Sequence, residues 1–238
     1  MKTAIEQFRR GYIFDLKIHK QPVTALMLFI FILYLISIVV GDKPRTVYYY
    51  SEMGMYPIVI MLMLLLFQRE IGGGSMEMIA TYPVSLRLIA VRKWVLTLLY
   101  ASLLSIGWMA VYLLKFGQIS TIMHSWGGGE AVKKGTGIFP LLLQTMPAYM
   151  LLASITMVGM VVFRKTYGGL ALGFTLWVVD TISGGNWLSG WTLYSTFLPE
   201  KASFTANRVM MILAAAALLA AAVWLIGKRE RWIVEEEE

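Results

Sequence analysis

The sequence predicts an all-α integral membrane protein, and three observations lead there: a composition far from that of soluble domains, a series of long charge-free runs, and an uneven distribution of Lys and Arg between the segments joining them. Of 238 residues, 58% are hydrophobic and 15% charged, against about a quarter charged in an ordinary soluble domain. Such a chain has more apolar surface than one aqueous core can bury. The absence of Cys excludes a disulfide framework, thiolate metal sites and cysteine nucleophiles.

Residues 1–20 read as an interfacial amphipathic helix. Ile5, Phe8, Tyr12 and Leu16 recur at spacings of three and four, while Arg9, Arg10, Lys17 and Lys20 can reach lipid headgroups. The apolar run that follows is too long for the core of a signal peptide. Crossing the hydrocarbon takes roughly 20 apolar residues. Stretches 21–41, 94–114, 135–163 and 209–227 meet this with no Asp, Glu, Lys or Arg. A shorter run reaches spanning length when Tyr48, Tyr49 and Tyr50, suited to the interface, are added before it. A sixth, from Thr166, needs Asp180 to Ser183 before Gly184 and Gly185 close it. The expected spans are therefore about 21–41, 48–68, 94–114, 138–163, 166–183 and 208–227, in a single transmembrane domain covering 1–238.

Fourteen of the 21 Lys and Arg residues fall in segments that are cytoplasmic if the N-terminus is inside, and seven in the opposite set. Positive loops are retained inside, so both termini are expected in the cytoplasm. The net charge of +7 then reflects topology and anionic headgroups, with no nucleic-acid footprint required.

The connection 69–93 carries the most pattern. Gly72, Gly73 and Gly74 make a flexible joint, Ser75 is positioned to cap a short helix over 76–81, and Glu77 in its first turn complements the helix dipole. Pro83 disfavours helical geometry at Tyr82, and Ser85 offers a second cap for a helix bringing Arg87, Arg92 and Lys93 to the headgroups. The product is a short elbow helix between two spans.

On Glu70, the run Gly74-Ser75-Met76-Glu77-Met78-Ile79, then Pro83-Val84-Ser85 and the pair Arg92-Lys93, the chain resembles the ABC type-2 transporter permeases, membrane subunits of ATP-binding-cassette exporters. The Ser75 to Pro83 spacing matches the family's pattern; the extra glycines and Tyr82, where Thr is usual, depart from it. The resemblance implies that Glu70, Ser75, Met76, Glu77, Met78, Ile79 and Pro83 couple to a separate ATPase subunit, which binds ATP and Mg. It also implies a second permease subunit, identical or similar, and the bacterial inner membrane. The residues agree on one point: Gly72–Gly74 and Gly127–Gly129 lack the following Lys of a phosphate-binding loop, so no cofactor is expected in this chain.

Asp180 is an acid within an expected span, which marks it for a role in cargo passage or dimer contact, with a hydrogen bond to Ser183 or Asn186 as the alternative. Trp187, Trp191 and Tyr194 recur at helical spacing in an uncharged stretch that looks like the family's re-entrant outer helical element, which implies that Asn186, Trp187 and Trp191 join Asp180 at the cargo path or a dimer contact; an aromatic interface anchor reads equally well. His19 and His124 fall on opposite sides by the charge count, so they cannot form one catalytic or metal site. The 16 Met residues lack a regular array and read as packing residues, and the tail Glu235–Glu238 as a solvated end. The expected function is that of a permease moving an amphipathic peptide or lipid-like cargo, without enzymatic activity of its own. An ATP-independent secondary transporter or channel, or a non-transporting membrane immunity or scaffold protein, are the alternatives.

Overall fold

A computed structural model describes residues 22–126, 132–199 and 203–233. The expected interfacial helix over 1–20, His19, Gly127–Gly129 and the tail Glu235–Glu238 lie outside the described residues. In chain order the elements are α1 (Pro22–Val40), α2 (Tyr49–Gly72), α3 (Ser75–Thr81), α4 (Leu86–Phe116), β1 (Ile119–Met123), β2 (Val132–Thr136), α5 (Ile138–Phe163), α6 (Thr166–Ser183) and α7 (Phe204–Ile226). Among the described residues, α2, α4, α5 and α7 are long and apolar enough to cross a membrane. The remaining two expected spans correspond to α1 and α6, which are not among those four.

The bundle has two dissimilar ends. At the elbow end lie α3, the α5–α6 turn and the residues after α7; at the hairpin end lie the β1–β2 pair, the residues before α2 and the segment 184–199. Helix α2 is the most enclosed, packed by α1, α4, α5 and α6, while α5 also lies along α7. Close approach of α5 and α6 depends on glycine. A Cβ on Gly168 would stand 2.6 Å from the carbonyl oxygen of Gly159, and one on Gly173 would stand 2.5 Å from Thr156 Oγ1. Small residues let two backbones touch where lipid supplies no hydrophobic drive for association.

The second cap stands where the sequence places it: Ser85 Oγ accepts from the Leu88 amide at 3.3 Å, and α4 starts at Leu86 and runs unbroken for 31 residues into the third span. Two expectations are corrected by the fold. Ser75 is not the cap of the elbow. Gly74 holds that place with φ 71°, in the left-handed region open to glycine, and Ser75 is the first helical residue. The all-α description also misses a two-stranded antiparallel hairpin, paired from Ile119↔Thr136 to Met123↔Val132. Its β-branched and alternating residues put Ile119 and Thr121 inward, while β2 with Lys133 and Lys134 is exposed.

Candidate functional site

Two regions hold side chains that need a functional account. The first is the elbow. Helix α3 stops where expected, at Tyr82, whose ψ of 153° turns the chain extended before Pro83. Met76 and Ala80 are buried, and the opposite face is open: Glu77, Met78, Thr81, Tyr82 and Pro83 are exposed, Met78 by 66% and Tyr82 by 57%. Of the residues that the sequence assigned to coupling, Ser75, Glu77, Met78 and Pro83 are therefore exposed, Ile79 is half-buried, and Met76 and Glu70 face the interior.

Glu70 pairs with Lys93 at 2.7 Å, both buried, and the Lys93 ammonium also reaches the Leu66 carbonyl and lies 5.1 Å from the centre of the Phe67 ring. The expectation that Arg92 and Lys93 face headgroups is thus corrected: both are buried. A π-helical turn over Gln68–Gly72 at the end of α2 brings Glu70 round to the bundle interior. The ion pair joins α2 to α4 directly behind the elbow.

The second region is a buried polar knot at the hairpin end. The segment 184–199 is not the expected helical element but a succession of turns with a 3₁₀ turn at Ser189–Trp191. Trp187, Trp191 and Asn186 are exposed while Tyr194 is buried, so the helical spacing of these aromatics does not gather them on one face. Side chains from four helices hold the segment instead. From α2, Glu52 accepts from the Ser195 amide at 3.1 and 3.2 Å, from Ser195 Oγ at 2.5 Å and from Thr196 Oγ1 at 3.4 Å. Also from α2, Tyr56 donates its hydroxyl to the Leu193 carbonyl at 2.7 Å. From α5, Gln144 donates to Ser195 Oγ at 3.2 Å and to the Ile122 carbonyl of β1 at 3.3 Å. From α6, Asp180 Oδ2 accepts from the Leu193 amide at 2.7 Å and from Thr192 Oγ1 at 3.1 Å.

Helix α7 supplies Asn207 and Arg208. Arg208 is fully buried, donates to the Leu193 carbonyl at 2.9 Å, stands 3.9 Å from Glu52 and lies over the Phe204 ring at 5.1 Å. The Asp180 carboxylate therefore does not meet Ser183 or Asn186; Ser183 bonds the Asp180 backbone carbonyl instead, at 3.3 Å. The irregular backbone of Thr192–Ser195, buried inside the bundle, has peptide groups that need partners, and these side chains satisfy them.

Glu52 and Arg208 were missed as site residues because each lies at the start of an apolar stretch. A signal existed: extending the second span back to Tyr48 already places Glu52 inside it, where the rule applied to Asp180 applies equally. Beside the knot, His124 stacks on Phe204 with centroids 4.7 Å apart, and its amide donates to Gln144. Burial pushes the imidazole below its usual range, and the Arg208 charge adds to this. Nearby, a cavity of about 350 Å³ opens between α1, the start of α2 and α6, lined by Tyr34, Tyr50, Met53, Pro57 and Trp177 with Arg45 at its rim.

No family model, curated protein or solved structure matches the chain.

Proposed function

We propose that this chain is the membrane-spanning permease subunit of an ATP-driven exporter, crossing the bacterial inner membrane six times with both termini in the cytoplasm. The observation that carries the reading is the exposed face of α3: Glu77, Met78, Thr81, Tyr82 and Pro83 project from the elbow, mixing apolar and charged groups as a docking surface does. A separate ATPase subunit, holding ATP and Mg, seats on this face. ATP-driven approach of two such subunits moves the elbow, and the cavity between two paired permease subunits changes its opening. Glu70 and Met76 act from within, holding the elbow to the spans.

An amphipathic peptide or lipid-like cargo suits the aromatic cavity, whose volume of about 350 Å³ lies at the small end of ligand sites, roughly 300–1,000 Å³. Its apolar walls accept the tail and the Arg45 guanidinium an acidic head. A second reading, an ATP-independent secondary transporter, draws on the buried charges Glu52, Asp180 and Arg208. Each already has partners holding one loop, so that reading stays second.

The test is a photo-crosslinker at position 78 in the native host. Capture of an ATPase subunit, together with loss of transport but retained ATP hydrolysis in Glu77→Lys at normal expression, is expected. Crosslinks to lipid alone, with unchanged transport in Glu77→Lys, overturn the proposal. Flux driven by a proton or sodium gradient in the reconstituted chain alone would favour the second reading, and neither result a scaffold or immunity role.

A further inference from the structure

Helix α7 is fastened to both candidate regions, one at each end. At the hairpin end, Asn207 donates from Nδ2 to the carbonyls of Gly190 at 2.8 Å and Thr192 at 3.2 Å, and Arg208 donates to that of Leu193 at 2.9 Å. At the elbow end the chain leaves the helix through Gly227 into a 3₁₀ turn, Arg229–Arg231. There Arg229 donates to the carbonyls of Ala80 at 2.7 Å, Tyr82 at 2.6 Å and Val84 at 2.6 Å.

These three acceptors lie in the last turn of the elbow, on the capping residue just past it and on the residue beyond Pro83. The final carbonyls of a helix have no partner within it, and Pro83 supplies no N–H, so this stretch is short of donors. A guanidinium carries five donors in one plane and is the side chain best able to gather several carbonyls at once; its charge also complements the helix C-terminus.

The turn is itself anchored. Trp232 is buried and donates to the Ile226 carbonyl at 3.2 Å, and Arg164 donates to the Arg231 carbonyl at 2.7 Å. Between its two attachments α7 buries Phe204, Asn207, Arg208, Met211, Ala215, Ala222 and Ile226. Apart from the adjacent Asn207 and Arg208, these residues follow at intervals of three, four and seven and make one stripe, and the helix lies along α5. Its 23 residues make it roughly 34 Å long at 1.5 Å per residue.

We infer that α7 is a connecting rod: Arg229 ties the elbow to one end, Asn207 and Arg208 tie the 190–196 cap to the other, and displacement of the elbow is delivered to the cap. Arg229 is a positioning residue in this device, and the inference deepens the permease reading by naming how motion received at α3 reaches the far end.

The full chain in lipid nanodiscs, without any ATPase, tests it. Since the chain has no Cys, single nitroxide labels at Met78→Cys and Trp191→Cys, both at exposed positions, report the elbow and the cap separately. Arg229→Gln should abolish the immobilised spectral component at both positions, and Asn207→Ala should do the same from the other end, because coupling is reciprocal. Arg231→Gln, on the same turn but bonded to Val162 at 3.4 Å, should leave both labels immobilised.

If Arg229→Gln frees residue 78 and leaves residue 191 unchanged, the contact is a local clamp and the rod is overturned; if neither responds, the clamp falls too. A Leu143→Cys label on α5 detects general unfolding, in which case the Asn207→Ala arm decides. Since no ATPase is present, a negative result here leaves the elbow's capture of such a subunit standing, and failure of that capture leaves the rod standing.

Discussion

The elbow and the cap solve opposite problems with the same materials. The elbow is regular helix, open on one face, and is held from behind by the Glu70–Lys93 pair and at its end by Arg229. The cap has almost no regular structure, yet Thr192, Leu193, Tyr194 and Ser195 are buried and bound by side chains from α2, α5, α6 and α7. Regular backbone satisfies itself and can afford exposure, whereas irregular backbone inside an apolar bundle must be satisfied by others. The elbow is thus free to meet a partner, and the cap is committed to its own chain.

That contrast predicts a gradient of mutational sensitivity. Glu52→Ala should be the most damaging, about 3–5 kcal/mol, because it removes the carboxylate beside a fully buried arginine and the acceptor of the Ser195 amide and hydroxyl. Thermal unfolding in detergent measures it, and a loss below that of exposed-loop substitutions would break the comparison. Lys93→Met should cost less, about 1–3 kcal/mol, because it leaves one buried carboxylate without its ion-pair partner, whereas Glu52→Ala strands the Ser195 amide and hydroxyl as well as Arg208. The double change Glu70→Leu with Lys93→Met should recover much of this loss, which a double-mutant cycle reads directly.

Acidification should act on the hairpin end through His124, whose folded-state pKa lies below the usual 6.5. The unfolded chain then binds the extra proton first. The His124 contribution is complete above pH 6.5 and is lost as pH falls below that value and through the folded pKa. Comparing the wild-type stability profile with that of His124→Gln isolates it; identical slopes below pH 6.5 would remove the histidine from the account. Smallest of all, Met78→Ser and Tyr82→Ser on the open face should change stability by no more than about 0.5 kcal/mol. A larger loss would mean that this face is packed against the protein itself.

Much of the elbow was legible in residue order because its determinants are local. Gly74 ahead of the helix, Tyr82-Pro83 at its end and Ser85 as the next cap are neighbours in the chain, and each acts on backbone within a few residues. The identity of the first cap was misjudged between adjacent residues, since Gly74 and Ser75 both suit that place and the joint's geometry chooses. The cap was legible only as uncharged, glycine-bearing and aromatic. Its partners stand far away in sequence: Glu52 meets Ser195 across 143 residues and Tyr56 meets Leu193 across 137.

By itself, then, residue order determined the membrane character, the end points of α5 and α6 and the elbow with its exposed acidic residue, because apolar run length and local backbone chemistry need no distant partner. Tertiary structure alone decided that Lys93 turns inward to Glu70, that Asp180 is a backbone anchor, that Arg208 belongs to the core, and that Arg229 returns to the elbow across 149 residues. Polar groups in an apolar bundle take whichever partner the packing of helices brings within about 3 Å, and no local pattern encodes which one that is.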